Sequence, residues 1–161
     1  MKKNKYRLFI YCLIGVIISL FVGFISSKIT RQAIPNWYTN LNKPFFSPPN
    51  WIFAPVWSIL YILMGIALGR VWFYGRYNRN KKIAVLYFTF QLMLNGLWSL
   101  IFFGLKIPLL SMVIIVVLWF LIQRSIFWFG LIDQKASFML YPYIAWVSFA
   151  SILNGAIIFL N

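Results

Sequence analysis

Five apolar segments, each about 20 residues long and bounded by polar or charged residues, divide the chain. They cover about residues 8–25, 53–74, 83–103, 109–129 and 138–160. A helix needs about 20 apolar residues to cross the hydrocarbon core of a bilayer. The pattern therefore predicts an all-α membrane protein, a five-transmembrane-helix bundle that forms a single membrane domain over residues 1–161. The first segment could also be a signal peptide, but it is too long and lacks an A-x-A cleavage motif.

Small residues recur every four positions along the first two segments. They are Gly15, Ser19, Gly23 and Ser27, followed by Gly65 and Gly69. A stripe of small side chains lets another helix backbone come close. We expect these stripes to pack within one bundle, and contact between two copies is the alternative.

Polar side chains also form stripes on two of the segments. One face of the third segment carries Gln91, Asn95 and Ser99, and one face of the fifth carries Trp146, Ala150 and Asn154. Polar groups at membrane depth need partners, so both stripes should face the bundle interior. Two interpretations stay open: the amides hydrogen-bond between helices, or the stripes line a pocket in which a small residue below a tryptophan leaves room for a flat molecule.

The longest connection covers residues 28–50 and contains no glycine. Four prolines stiffen it, namely Pro35, Pro44, Pro48 and Pro49. It also carries four aromatic residues that would be poorly placed in water. We expect a folded cap over the pocket, with a short helix beginning at Pro35. The alternative is an aromatic belt that rests on the membrane interface.

The composition excludes several kinds of chemistry. The chain has one acidic residue, Asp133, no histidine and one cysteine, Cys12, against 15 lysines and arginines. Paired carboxylates, histidine bases, Ser-His-Asp triads and metal cages of carboxylate or imidazole all need residues that are missing. We expect no metal and no cofactor, and a function carried by shape, aromatic rings, amides and hydroxyls.

The basic residues predict the orientation. Eleven of the 15 fall at the N-terminus and in the second and fourth connections. The positive-inside rule places that side, with the N-terminus, in the cytoplasm and the C-terminus outside. Helical spans suit a bacterial inner (cell) membrane better than an outer one. Because the charges sit in short connections, we expect contact with anionic membrane lipid and no nucleic acid binding.

The chain resembles the translocator protein family, also called the tryptophan-rich sensory protein or TspO/MBR family, in three blocks. They are WYTNLNKPFFSPPNWIFAPVWSILYILMG at 37–65, QLMLNGLWSLIFFG at 91–104 and LYPYIAWVSFASILN at 140–154. The resemblance implies a five-helix bundle, usually a homodimer, with an elongated pocket beneath the first loop. Ligands of the family are flat and hydrophobic: porphyrins and haem, sterols, and synthetic benzodiazepine-type compounds.

The resemblance also assigns ligand-binding residues. Carried over position by position, they are Tyr38, Pro48, Trp51, Trp57, Tyr61, Asn95, Trp98, Ser99, Trp146 and Ala150. The sterol-recognition segment of animal members has a tyrosine and a basic residue after the leucine that matches Leu153. This chain reads NGAIIFLN there, which argues against sterol binding.

Three functions follow as hypotheses. The leading one is a membrane binding or sensory protein that holds a porphyrin between tryptophans, with Lys43 or Arg31 meeting the carboxylates at the mouth of the pocket. Metal-free protoporphyrin fits better than ligated haem, since histidine is missing. The second is a light-dependent enzyme that degrades protoporphyrin, for which the resemblance assigns Trp57 and Trp146. The third is a passive transporter of tetrapyrroles or lipids.

Overall fold

The computed structural model describes residues 2–161 as a bundle of helices. The helices are α1 (Lys2–Asn36), α2 (Phe53–Tyr74), α3 (Lys81–Ser99), α4 (Pro108–Gly130), α5 (Gln134–Phe138) and α6 (Tyr141–Leu160). One π-helical turn, Leu100–Gly104, extends α3. This part of the chain contains no strand, and five of its helical segments are long and apolar enough to cross a membrane. The predicted all-α fold with five membrane helices is confirmed.

Helix α1 is longer than the apolar pattern indicated. Residues 28–36, which the pattern placed in the loop, continue the helix to Asn36. Their polar side chains mark the end of the apolar stretch, but no proline interrupts the helix before Pro35. Pro35 lies inside the last turn and does not begin a helix. The free carbonyls there find donors: Thr39 Oγ1 donates to the Ile34 carbonyl at 2.7 Å and Asn36 Nδ2 to that of Gln32 at 2.9 Å.

The five long helices form a ring. Helix α1 packs against α2 and α3, α4 packs against α3 and α6, and α2 closes the ring against α6. The N-terminus of α1 and the turns before α3 and α5 lie at one end, here called the basic end. The loop of residues 37–52 and the C-terminus lie at the other, here called the loop end. Asn42 and Asn161 tie the loop to α6 through a pair of hydrogen bonds, each 3.0 Å long.

Glycines bring α1 and α2 into backbone contact near the basic end. A Cβ on Gly65 would clash with the backbone of Val16, and a Cβ on Gly69 with that of Cys12. The helices run antiparallel, so Gly15 meets Gly65 directly. The expectation that the small-residue stripes pack within one bundle is confirmed for these residues.

One ion pair joins α2 to the short helix α5 at the basic end. Arg70 Nε donates to Asp133 Oδ2 at 2.6 Å, and Arg70 Nη2 donates to Asp133 Oδ1 at 3.1 Å. Asp133 also accepts a hydrogen bond from the Ala136 backbone amide at 3.1 Å, and so caps α5. The only acidic side chain of the sequence is therefore fully engaged within the protein.

Candidate functional site

A cavity of about 590 Å³ lies between α1, α2 and α3 toward the loop end. This volume is within the range of about 300–1,000 Å³ for small-molecule sites. Helix α1 contributes Leu20, Gly23, Phe24, Ser26, Ser27, Thr30, Arg31 and Ile34. The segment that opens α2 contributes Asn50, Phe53, Ala54, Trp57, Ser58 and Tyr61, and α3 contributes Asn95, Trp98, Ser99 and Phe103.

The floor of the cavity is the ring of Tyr61, which lies against Gly23. A Cβ at position 23 would come within 2.5 Å of a Tyr61 ring carbon, so only glycine fits beneath it. On the loop side of the contact between Gly15 and Gly65, the Tyr61 ring lies between α1 and α2. Beyond this ring the space between the two helices is the open cavity. The close helix crossing thus sets the depth at which the cavity ends.

A chain of buried hydrogen bonds crosses three helices beside this floor. Tyr61 Oη donates to Asn95 Oδ1, and Asn95 Nδ2 donates to Tyr143 Oη at 3.0 Å. Asn95 is 2% exposed, and the prediction that the polar stripe of α3 faces inward is confirmed. The amide both links helices and lines the cavity, so the two interpretations of the stripe hold together at this residue.

Hydroxyl groups line the wall between α1 and α3. The Ser99 and Thr30 hydroxyls are 3.0 Å apart, and Ser99 Oγ also donates to the Ser26 carbonyl at 3.4 Å. Thr30 Oγ1 additionally donates to the Ser26 carbonyl at 3.0 Å. The contacts of Ser99 with Thr30 and Ser26 hold α1 against α3, and the hydroxyls give an otherwise apolar wall a few polar atoms of the kind that orient small molecules in binding sites.

Half of the residues assigned from the resemblance come together here. Trp57, Tyr61, Asn95, Trp98 and Ser99 all line the cavity. The Trp57 ring lies 5.7 Å from that of Tyr61 with an interplanar angle of 33°. Trp98 stacks on Phe102 at 5.3 Å and 16°. The aromatic side of the cavity is therefore built from neighbouring turns of α2 and α3.

The other assigned residues lie outside the lining. Trp51 lies in the short helical turn Asn50–Ile52 that precedes α2, where its side chain is 73% exposed and outside the lining. Trp146 packs against the lining residue Phe53 at 6.2 Å and is itself outside the lining. Ala150 is buried one turn further along α6, and Pro48 is half-buried in the loop.

Tyr38 forms the layer above the cavity. It is 1% exposed and packs against two lining residues, Phe53 at 5.9 Å and Phe103 at 5.7 Å. Burial raises the pKa of its hydroxyl, although a hydrogen bond with Ser47 partly offsets the effect. Two loop aromatics face inward, Trp37 and Tyr38, whereas Phe45 is fully exposed. The loop combines a folded cap with an outward aromatic edge.

Sequence reasoning missed the contribution of α1. Ser26 and Thr30 line the cavity without having been predicted to do so, and Arg31, which the sequence placed at the mouth as a loop residue, lines it from α1. The signal that could have found them was the stripe of small residues, which continues from Gly23 to Ser27 on the face that meets α2. The first residues of the stripe pack closely against α2, and its last residues line the cavity.

The cavity opens sideways between α1 and α2. Exposed residues of both helices line it, among them Phe24 at 58% and, on α2, Ala54 and Ser58. This opening faces the direction in which the apolar surfaces of α1 and α2 meet lipid. Among the described residues, no group of His, Cys, Asp or Glu could hold a metal ion. The site can stack and enclose an apolar molecule and offer it hydroxyl and amide partners.

Comparison with known proteins gives consistent matches over most of the chain. The model of the TspO/MBR family matches residues 15–160. The tryptophan-rich protein TspO of Chlorobaculum tepidum is 43% identical over 158 residues, 98% of this chain and 99% of that protein. The protein of the same name from Archaeoglobus fulgidus is 43% identical over 147 residues, 91% and 94% of the two chains. The translocator protein of Bos taurus is 32% identical over 133 residues, 82% and 79% of the two chains.

Proposed function

The chain belongs to the TspO/MBR family of membrane proteins, and from this premise we propose that it binds a flat hydrophobic ligand of the porphyrin class between α1, α2 and α3. It is a multi-pass integral membrane protein. The observation that carries the proposal is the cavity of about 590 Å³, walled by Trp57 and Trp98 and open toward the lipid. The cytoplasmic N-terminus and the homodimer stay predictions.

The chemistry of the wall suits a planar aromatic guest. Indole and phenol rings offer large stacking faces, and each aromatic contact contributes about 0.5–1.5 kcal/mol beyond the burial of its area. Trp57 and Tyr61 present two such rings on neighbouring turns of α2. The hydroxyls of Ser27 and Ser58 lie on the same lining. Each donates to a carbonyl of its own helix at 2.8 Å, and its oxygen can still accept a hydrogen bond from the ligand's edge.

We expect Trp57→Ala to weaken protoporphyrin binding about tenfold, because it removes a stacking face from the cavity. The measurement is a titration in nonionic detergent, followed by the shift of the porphyrin's own absorption band. This readout stays valid when a tryptophan is removed. Trp72→Ala is the matched control, since Trp72 lies on the same helix at the basic end and is outside the cavity lining.

The variant Trp146→Ala tests a residue that the family resemblance assigns to ligand binding but that does not line the cavity. Because Trp146 contacts the lining residue Phe53 but does not line the cavity itself, its effect should be clearly smaller than that of Trp57→Ala. A wild-type protein without saturable binding would refute the proposal. Equal losses for Trp57→Ala and Trp72→Ala would place the ligand elsewhere.

The position of Trp57 also bears on the light-dependent degradation of protoporphyrin. If the bound porphyrin reacts on illumination, an adjacent ring is the nearest electron donor, and Trp57 lines the cavity whereas Trp146 does not. We expect Trp57→Phe to lower the product yield severalfold more than Trp146→Phe at equal porphyrin occupancy. Chromatography of the illuminated complex measures it, and product yields that both variants leave unchanged would exclude these residues from any such reaction.

A further inference from the structure

One cation stands on the wall of the cavity. Arg31 is the only lysine or arginine among the lining residues of the described chain. It lies on the exposed loop-end part of α1, one turn beyond Ser27. The antiparallel register that sets Cys12 against Gly69 brings Arg31 level with Asn50, which lies three residues before α2 and is the lining residue nearest the loop on that side.

The sequence offers this guanidinium no acidic side chain. Asp133 is the single carboxylate among the side chains, and Arg70 holds it at the basic end. Within residues 4–161, the Arg31 side chain makes no hydrogen bond or ion pair to another residue of the protein. Any carboxylate or phosphate that pairs with this side chain therefore has to be supplied by another molecule.

The other cation that the sequence placed at the mouth of the cavity is already engaged. Lys43 Nζ donates to the carbonyls of Tyr38 and Thr39, at 3.2 Å and 3.3 Å, and lies 4.9 Å from the centre of the Tyr38 ring. Lys43 thus fastens the loop and is outside the cavity lining. Of the two cations that the sequence placed at the mouth, the structure leaves Arg31 for an incoming group.

We infer that Arg31 determines the specificity of the cavity for acidic amphiphiles: the apolar body lies between α1 and α2, and a carboxylate or phosphate at its polar end pairs with the guanidinium. The inference rests on the proposed function and adds the part of the ligand that the aromatic wall cannot recognise. Guanidinium groups bind carboxylates and phosphates through two parallel hydrogen bonds. Because Arg31 is exposed, the pair is partly screened, and its contribution is moderate.

The test compares protoporphyrin, which carries two carboxylates, with its dimethyl ester, which carries none. We expect wild-type protein in nonionic detergent to bind the free acid about three- to tenfold more tightly than the ester. The variant Arg31→Gln should bind the acid as weakly as the ester and leave ester binding unchanged, and Arg31→Lys should restore part of the preference. Lys28→Gln is the matched control: Lys28 lies three residues earlier on α1, above the Phe24 ring at 4.7 Å and outside the cavity lining.

A second pair of probes, a pyrene-labelled fatty acid and its methyl ester, separates this inference from the porphyrin proposal. Porphyrin binding with no acid preference, or an equal loss for acid and ester in Arg31→Gln, would overturn the role of Arg31 and leave the proposed function standing. If porphyrin does not bind but the protein prefers the fatty acid to its ester in an Arg31-dependent way, the porphyrin proposal is refuted and the role of Arg31 is supported. No preference with either pair would overturn it.

The anion could also be a lipid headgroup, and added phosphatidylglycerol distinguishes this source. If the lipid competes with the acidic probe in wild-type protein but not in Arg31→Gln, a phospholipid is an occupant of the same acid-binding position. If it does not compete, Arg31 is reserved for the free acid. Competition that is unchanged in Arg31→Gln would contradict the assignment.

Discussion

Replacing Gly65 by leucine is expected to prevent α1 and α2 from packing, so that little folded protein is recovered. The backbone of Val16 fills the space that any side chain at this position would need. Helix backbones cannot move apart here without losing the neighbouring contact of Gly69 with Cys12. Overpacking costs about 1–3 kcal/mol even where side chains can adjust, and backbone contacts leave no such freedom. The yield of monodisperse protein in detergent measures the effect.

Two alanine variants measure how much the close packing of α1 against α2 contributes to stability. Gly65→Ala should lower the thermal unfolding midpoint by about 5–10 °C. Gly155→Ala is the matched control, because a Cβ at Gly155 meets only the Met112 methyl group at 4.0 Å. There the better helix propensity of alanine should leave the midpoint unchanged or raise it slightly. Equal midpoints for the two variants would show that the close crossing of α1 and α2 does not hold in the folded protein.

Asp133→Asn is expected to produce the second large effect, a loss of about 2 kcal/mol in the free energy of unfolding. The asparagine oxygen can still cap α5 at the Ala136 amide, so the change removes mainly the charge. Arg70 is then left largely buried without its carboxylate, since the two side chains are only 16% and 14% exposed. Unfolding in mixed micelles, followed by circular dichroism, measures the loss.

The double variant Arg70→Met/Asp133→Asn distinguishes the pair from its parts. If the cost arises from an uncompensated guanidinium, removing both charges should recover at least half of the stability lost in Asp133→Asn. A double variant less stable than the single one would mean that the Arg70 side chain stabilises α2 mainly through other contacts, such as its position above the Tyr74 ring at 5.1 Å.

The apolar pattern predicted the membrane helices well where their ends coincide with a change of polarity. The second segment matches α2 at both ends, Phe53 and Tyr74, because prolines and a glycine stand beside those residues. The pattern failed at the end of α1. Hydropathy reports where a chain leaves the bilayer, and a helix can continue into polar surroundings when its last carbonyls are capped, as Thr39 does for Ile34.

The site was harder to predict than the fold, because which side chains face the cavity depends on how each helix is rotated about its own axis. Residues on α2 and α3 that the resemblance assigned, such as Trp57 and Asn95, line the cavity. Trp146 contacts Phe53, which lines the cavity while Trp146 does not, and no sequence pattern states which of two neighbouring aromatic rings forms the lining. On α1, the predicted loop contained Thr30, Arg31 and Ile34, so this part of the wall was not expected on a helix. Such differences concern tertiary packing, which periodicity alone does not encode.

The length of α1 links the thickness of the bilayer to the proposed preference of the cavity for acidic ligands. At 1.5 Å per residue, its 35 residues extend about 52 Å, whereas the hydrocarbon of a bilayer is about 30 Å thick. The polar final turns around Arg31 therefore stand among headgroups in a thin membrane and are drawn toward the acyl chains in a thick one. If Arg31 selects acidic ligands as proposed, bilayer thickness also sets how strongly solvent screens the guanidinium, and we expect the preference for acids to differ between membranes of different thickness.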